Sequence, residues 1–389
     1  MTAKQGIETN IWLEKARRLE AIIGQYRDDG ERDRHLPQPI YEAMRQAGLY
    51  NMYLPRALGG PQAELVPSLL AYEEVARHDG AVGWNFMIGS QGGLFSDYLP
   101  ESAAKEIYDL GDAHGAGSFG PTGQAVVVPG GYRLSGRWSF ASGCHHANWF
   151  VCGAIVIDGG QPRMRSDGVP DIRIMFVPAG EGRILDTWHS GGLRGTGSHD
   201  IEVRDTFVPE DRHFAFADLS VGPSVRPGTG YTLPFMLLAS VGMAALALGL
   251  ARDALDSFKA MAAEKTPSGS RSKLGTQPVA QDRYGEATAL LGSSRVYFYD
   301  ACEQLAAVDR PDDDLSALVR LASAHAVRSC QRAVELVYNL GGGSVVYTAN
   351  RLDRCFRDVQ TISHHIAVSP NHFEMVGQYL LGGPLLHRR

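Results

Sequence analysis

The sequence predicts a mainly α-helical protein with a central β domain, and three observations predict it. Apolar residues recur at helical spacing through residues 8–110. From about residue 113 to 218, glycine and proline become frequent and apolar runs shorten to strand length. Beyond Tyr231 long helical segments return. The expected division is an N-terminal helical domain (1–112), a middle antiparallel β sandwich or barrel (113–225) and a C-terminal helical bundle (226–389). A chain of 389 residues is also too long for one small core, so two or three packed regions are expected.

In the first region Leu13, Ala16, Leu19, Ile22 and Ile23 share one helical face. Pro37 and Pro39 open a second helix, which Gly48 ends. LPRALGGP interrupts the pattern before a third helix at 63–78 and a fourth at 81–99. The fourth carries NFMIGSQGG, small and polar for a core helix, which suits a cavity wall. In the second region AVVV, YRLSGRWSF, WFVCGAIVI, IRIMFVP and HDIEVRDTFVP read as strands, with turns at PGGY, DGG and PAGEG. The third region reads as helices at 233–263, 279–307, 313–340, 344–366 and 369–381, with breaks at TPSGSRSKLGTQP, DRPDDD, GGG and VSP. Residues 233–250 are uncharged and just long enough to span a bilayer. They run directly into the charged helical stretch ARDALDSFKAMAAEK, so a buried central helix is expected and no membrane role.

A net charge of -6 and a pI near 6.1, without a long basic run, argue against nucleic-acid binding. Five scattered cysteines without CxxC spacing fit a reducing cytoplasm better than a disulfide framework. The N-terminus has no apolar signal core. His145, His146, His189 and His199 form no HxxxH or HxH pattern, so no metal site is expected.

The stretch most suggestive of function is SGRWSFASG, residues 135–143. On a strand, Trp138, Phe140 and Ser142 would point to one face, giving an aromatic wall followed by a hydroxyl. Gly143 would let the backbone approach a ligand. A planar heteroaromatic cofactor needs such a wall, although a sandwich strand with Trp and Phe in its core has the same pattern.

This order of regions and five local strings resemble the acyl-CoA dehydrogenase fold over essentially the whole chain. Within it they resemble the two-component flavin-dependent monooxygenases, which hydroxylate aromatic and heteroaromatic compounds. SGRWSFASG resembles the flavin-facing strand, and GSFGPTGQAVVVPGGYRLSG the loop over the flavin ring. WHSGGLRGTGSHDIEVRDTFVP resembles a further β element, RSKLGTQPVAQ with LGGG the phosphate or nucleotide segments, and CFRDVQTISHH the closing helix. The resemblance implies that Ser142 meets flavin N5, that Phe140 packs near the ring, and that Ser118 and Phe119 cover its pyrimidine side. Trp188 would face the flavin, Arg271 would pair with its phosphate, and Gly342 and Gly343 would admit a neighbouring subunit's cofactor.

His365 decides between branches. It matches the monooxygenase histidine, seven positions after Asp358, where an acyl-CoA dehydrogenase needs a carboxylate base. An imidazole titrating near physiological pH suits deprotonation of a phenol or indole, or hydrogen bonding to a flavin C4a-hydroperoxide. His364 is adjacent, and on a helix only one of the two can face the flavin. A second histidine usual in the fourth helix is missing here, leaving Asn85, Ser90 or Gln91 as substrate contacts. The implied cofactor is reduced flavin (FADH2 or FMNH2), with molecular oxygen as co-substrate. The implied partners are an NAD(P)H-dependent flavin reductase, an aromatic small molecule and three further copies in a homotetramer. The rival readings are an acyl-CoA dehydrogenase-type oxidoreductase and a non-catalytic flavin-binding scaffold.

Overall fold

The structure is a computed structural model that describes residues 10–108, 114–223 and 232–385. The expected domain limits at 112/113 and 225/226 lie outside the described residues. Among the described residues six α-helices come first: α1 (Ile11–Arg17), α2 (Glu20–Asp33), α3 (Gln38–Gln46), α4 (Leu65–His78), α5 (Gly80–Gln91) and α6 (Glu101–Tyr108). Asn10 caps α1 and Asp79 caps α5, each side chain accepting from two backbone N–H groups. The expected fourth helix is α5 followed by a 3₁₀ segment, Gly92–Tyr98, where consecutive glycines loosen the helix.

The β region is one curled sheet. Its strands are β1 (Gly115–Val128), β2 (Gly131–Trp138), β3 (Trp149–Asp158), β4 (Gln161–Pro162), β5 (Ile172–Pro178), β6 (Gly182–Leu185), β7 (Asp200–Pro209) and β8 (His213–Ala215). The order is β6-β7-β2-β1-β3-β5-β8, with β4 paired to β3. The expectation of purely antiparallel pairing is corrected: β1 and β3 run parallel, because β2 and the loop after it carry the chain across β1. At β3 and β5 both faces of the sheet are apolar, and β5 shows why. Ile174 and Phe176 join the large helical core, whereas Met175 and Val177 turn into the sheet's own core with Trp138 and Phe150. That explains why β3 and β5 read as continuous apolar runs.

The chain then returns to helix as α7 (Asp218–Val221), α8 (Phe235–Glu264), α9 (Pro278–Ala306), α10 (Asp313–Leu340), α11 (Arg351–Ser363) and α12 (Asn371–Leu380). α8 packs between α4 and α10, and 89% of its most apolar window is buried within the fold. Its apolar surface is therefore satisfied by protein, as the charged continuation predicts. Gly249 permits the close α4–α8 approach, since a Cβ there would run into the Glu73 carbonyl. The helix expected at 344–366 begins later, at Arg351, where the Asn350 side chain accepts from Leu352 N.

Ion pairs tie the helices together. Glu73 in α4 receives Arg252, Arg295 and the Tyr299 hydroxyl. Arg351 bridges Asp79 at 3.1 Å and Asp253, and Arg354 reaches Asp28 at 2.6 Å. These pairs hold α11 against α2, the α4–α5 junction and α8. All five cysteines are free and buried.

Candidate functional site

The loop after β2 departs from the alternation its sequence suggests. β2 ends at Trp138, which is fully buried and donates from Nε1 to the Gly153 carbonyl at 2.7 Å. Phe140 takes a left-handed φ of 66° and is 69% exposed. Trp138 and Phe140 therefore do not share a face, and the expected three-residue wall is corrected. A non-glycine residue in that conformation is strained, and strain of this kind is characteristic of functional loops. The next residues fold into a tight turn, with Ser142 N bonded to Phe140 O at 2.9 Å.

A second loop, between β6 and β7, clamps this turn. Ala141 N donates to His199 O and Gly143 N to Thr196 O. Leu193 and Gly197 both adopt left-handed conformations around the 3₁₀ turn Arg194–Thr196. The loop is fixed from outside by Asn85, which donates to Gly195 O at 3.1 Å, and by Asp358, which accepts from Leu193 N at 2.6 Å. Gly192 lies so close to α11 that a Cβ would run into the Arg357 carbonyl.

Ser142 lies at the centre of this corner. Its Oγ accepts from Trp84 Nε1 at 3.0 Å and lies 2.7 Å from Ser198 Oγ. Ser198 Oγ is 2.6 Å from Thr196 Oγ1, which donates to Leu193 O at 2.8 Å. The Trp84 indole also meets the His365 ring edge to face, 5.7 Å between centroids. Helix α5, the two loops and the chain just past α11 thus converge on one point. His365 lies beyond the helix end, so the expectation that His364 and His365 compete for helical faces does not arise.

His365 is partly buried, and its Nδ1 accepts from Ala367 N at 3.2 Å. The neutral ring therefore carries its proton on Nε2. Burial pushes its pKa down to about 4. The expectation of a pKa near physiological pH is corrected: burial favours the neutral imidazole at pH 7, with its proton on Nε2. Burial, aided by repulsion from Asp79, raises the Asp358 carboxyl to about 7.

Phe140 and Trp188 form an edge-to-face pair at 6.1 Å, and Trp188 Nε1 donates to Leu193 O. Phe119 belongs to a different aromatic cluster, with Phe95 and Phe235 at 5.5 and 5.4 Å. Ser118 lies in β1, where the register shifts before Gly123, and its Oγ is 3.4 Å from Gly120 N. Asn85 Oδ1 is buried without a partner, directed at Gly143. Ser90 and Gln91 face away, into the helical core: Ser90 meets the Tyr72 hydroxyl and Gln91 donates to Leu238 O. A role for these two in substrate contact is not supported by that placement. Arg271 is exposed, and Gly342 has a left-handed φ of 55° beside an open Gly343. Lys265 joins their two segments by bonding Gly341 O and Ser344 Oγ.

The sequence reading missed Trp84, Thr196 and Ser198. Trp84 stands directly before Asn85, and the two hydroxyls are in the GTGS of the quoted loop string, but no spacing rule marks side chains that meet across three elements. Among the described residues no three His, Cys, Asp or Glu side chains converge as a metal site would need.

A model of the acyl-CoA dehydrogenase N-terminal domain matches residues 13–106, and one of the C-terminal domain matches residues 241–370. The chain belongs to the acyl-CoA dehydrogenase family. Within it, similar proteins include monooxygenases and oxygenase components. Indole-3-acetate monooxygenase of Pseudomonas putida is 28% identical, covering 94% of this chain and 93% of that one. The FADH(2)-dependent resorcinol hydroxylase, oxygenase component, of Rhizobium sp. is 28% identical, covering 98% and 97%. The solved structure of XiaF from Streptomyces sp. in complex with FADH2 and glycerol superposes with a TM-score of 0.88 at 24% identity, covering 99% of this chain and 98% of that one. The family drawn from SGRWSFASG and its companion strings is thereby borne out, as is the fold.

Proposed function

We propose that this chain is the oxygenase component of a two-component flavin-dependent monooxygenase. It takes reduced FAD or FMN from a separate NAD(P)H-dependent flavin reductase and hydroxylates a phenol- or indole-like aromatic compound. The observation that carries this reading is the His365 imidazole packed on the Trp84 indole that bonds Ser142, in a chain similar over nearly its full length to monooxygenases and their oxygenase components.

The residues fit a flavin. The exposed Phe140 and the edge of Trp188 offer an aromatic surface to a planar ring, and Ser142 Oγ lies two residues further on. The polar Oδ1 of Asn85, unpaired behind Gly143, adds an acceptor beside it. When bound, reduced flavin supplies two electrons to dioxygen, so that one oxygen atom enters the substrate and the other leaves as water. Ser142 Oγ would hold the N5–H of the reduced ring, and Phe140 and Trp188 would keep water from it. His365 would donate from Nε2 to an oxygen atom of substrate or dioxygen, which orients it without a change of protonation. Arg271 with the turn at Gly342 and Gly343 would meet the phosphate end of a neighbouring subunit's flavin in a homotetramer. Ser118 and Phe119 would border the pyrimidine side. Five buried free thiols accord with a cytoplasmic setting.

The test is to mix the protein with chemically reduced FAD or FMN and air over a panel of phenols and indoles. Hydroxylated product from the wild type, and its loss in His365→Asn with flavin binding retained, is expected. Reduction of bound oxidised flavin by an acyl-CoA thioester, with no hydroxylated product, would select the dehydrogenase reading instead.

A further inference from the structure

We infer that Ser198 and Thr196 are positioning residues that fix the polarity of Ser142, making it an obligate hydrogen-bond acceptor toward the cofactor. The inference rests on the flavin reading above.

Three short O···O contacts run in series: Ser142 Oγ to Ser198 Oγ at 2.7 Å, Ser198 Oγ to Thr196 Oγ1 at 2.6 Å, and Thr196 Oγ1 to Leu193 O at 2.8 Å. Two oxygens this close need a proton between them. A carbonyl cannot donate, so the Thr196 proton must point at Leu193 O. Thr196 has no other proton, so the Ser198 proton fills the second contact. By the same step the Ser142 proton fills the first. At the other end Trp84 Nε1, which can only donate, occupies one lone pair of Ser142 Oγ. One lone pair of Ser142 remains, and no proton.

The terminal carbonyl is held in place independently. Leu193 O also accepts from Thr196 N and from Trp188 Nε1, each at 3.1 Å, and Leu193 N donates to Asp358. The three hydroxyl side chains are all buried, so bulk water does not compete for their protons. Burial in a low-dielectric corner makes a reversal of the series expensive, because it would leave the Thr196 and Leu193 oxygens facing each other without a proton.

The consequence concerns which flavin state the site recognises. N5 of reduced flavin carries a hydrogen and can donate to the remaining lone pair. N5 of oxidised flavin carries none and meets another acceptor. The relay therefore sets a preference for the reduced ring that Ser142 alone, free to rotate its hydroxyl, would not enforce.

Anaerobic equilibrium titrations with oxidised and dithionite-reduced FAD, repeated with FMN, test this in the wild type, Ser198→Ala and Thr196→Val. Both variants free the Ser142 proton. The ratio of dissociation constants, oxidised over reduced, should fall about tenfold, the worth of one hydrogen bond. The midpoint potential of bound flavin should fall by about 30 mV for the two-electron couple. Ser198→Thr, which keeps the hydroxyl, should retain the wild-type ratio. If Ser142→Ala changes the ratio while Ser198→Ala and Thr196→Val leave it at the wild-type value, the relay is wrong and the flavin reading stands. If the wild type binds neither redox state, both are overturned. Should one variant fail to fold, the other reads the same ratio.

Discussion

At the scale of single residues, the side chains that matter are defined by what their partners have already claimed. His365 illustrates this: Ala367 N occupies Nδ1 and burial holds the pKa at about 4. Hydroxylation rate plotted against pH should accordingly show no inflection assignable to His365 between about pH 6 and 8. An inflection near 6.5 that disappears in His365→Asn would contradict the donor role. Trp84 presents a similar case, since its indole N–H is spent on Ser142. Trp84→Phe keeps the ring against His365 but deletes that bond, and should cost about 1 kcal/mol in urea unfolding. An unchanged midpoint would mean that the bond contributes nothing. These residue-level facts were only partly legible in the sequence. Ser142 and His365 stood out within recognisable strings, whereas Thr196 and Ser198 are ordinary loop hydroxyls until the fold aligns them.

Helix α11 is the element on which the site depends most. Its N-terminal half is pinned by Arg351 and Arg354 to Asp79, and its end delivers the chain to His365. Burial pushes the Asp79 carboxyl up, but Arg351 and Arg354 more than offset this and leave it below the ordinary value. Asp79→Ala takes one carboxylate partner from Arg351, which keeps Asp253, and from Arg354, which keeps Asp28, and it removes the α5 cap, so it should lower stability by about 2–3 kcal/mol in denaturant unfolding. A loss below about 1 kcal/mol would show that the network is replaceable. Asp358, about one turn after Arg354, behaves oppositely. Its pKa rises from 3.8 to about 7 on folding, so the folded state binds the extra proton between those values. Stability is then lost as pH rises through that window, with the full cost present above about pH 7. Asp358→Asn keeps an acceptor for Leu193 N and should stabilise the protein more at about pH 8 than at about pH 5. Equal effects at the two pH values would sink that assignment. The helix was visible in the sequence as RDVQTIS, but its start was expected too early, because Asn350 capping depends on local geometry rather than on apolar spacing.

At the scale of the whole molecule, buried histidines set the response to acid. Burial lowers His114 to about 3 and His145, His213 and His365 to about 4. The unfolded chain binds these protons near the ordinary value of 6.5 and the folded chain does not. Stability from this source is present above that value and declines as pH falls toward the folded pKa values. Thermal unfolding scans should therefore show a midpoint that drops steadily between about pH 6.5 and 4.5, before most carboxylates titrate. A flat midpoint across that range would mean that these rings have water access on folding. The three-part order of helices, strands and helices was legible because periodicity and glycine content report local conformation. The parallel pairing of β1 with β3 was not, since it follows from where a loop crosses and not from any strand's own residues.

The sequence by itself determined that α8 is buried, that the chain alternates between helical and strand-forming regions, and that it carries the strings of its family. Those properties are local: they follow from residue volume, charge and spacing over a few turns. Tertiary structure alone decided which way Phe140 faces, where the His365 proton resides, and that Trp84, Ser142, Ser198 and Thr196 form one directed series. Hydrogen-bond direction and ionisation depend on partners brought from distant parts of the chain, and the linear order of residues does not encode their distances.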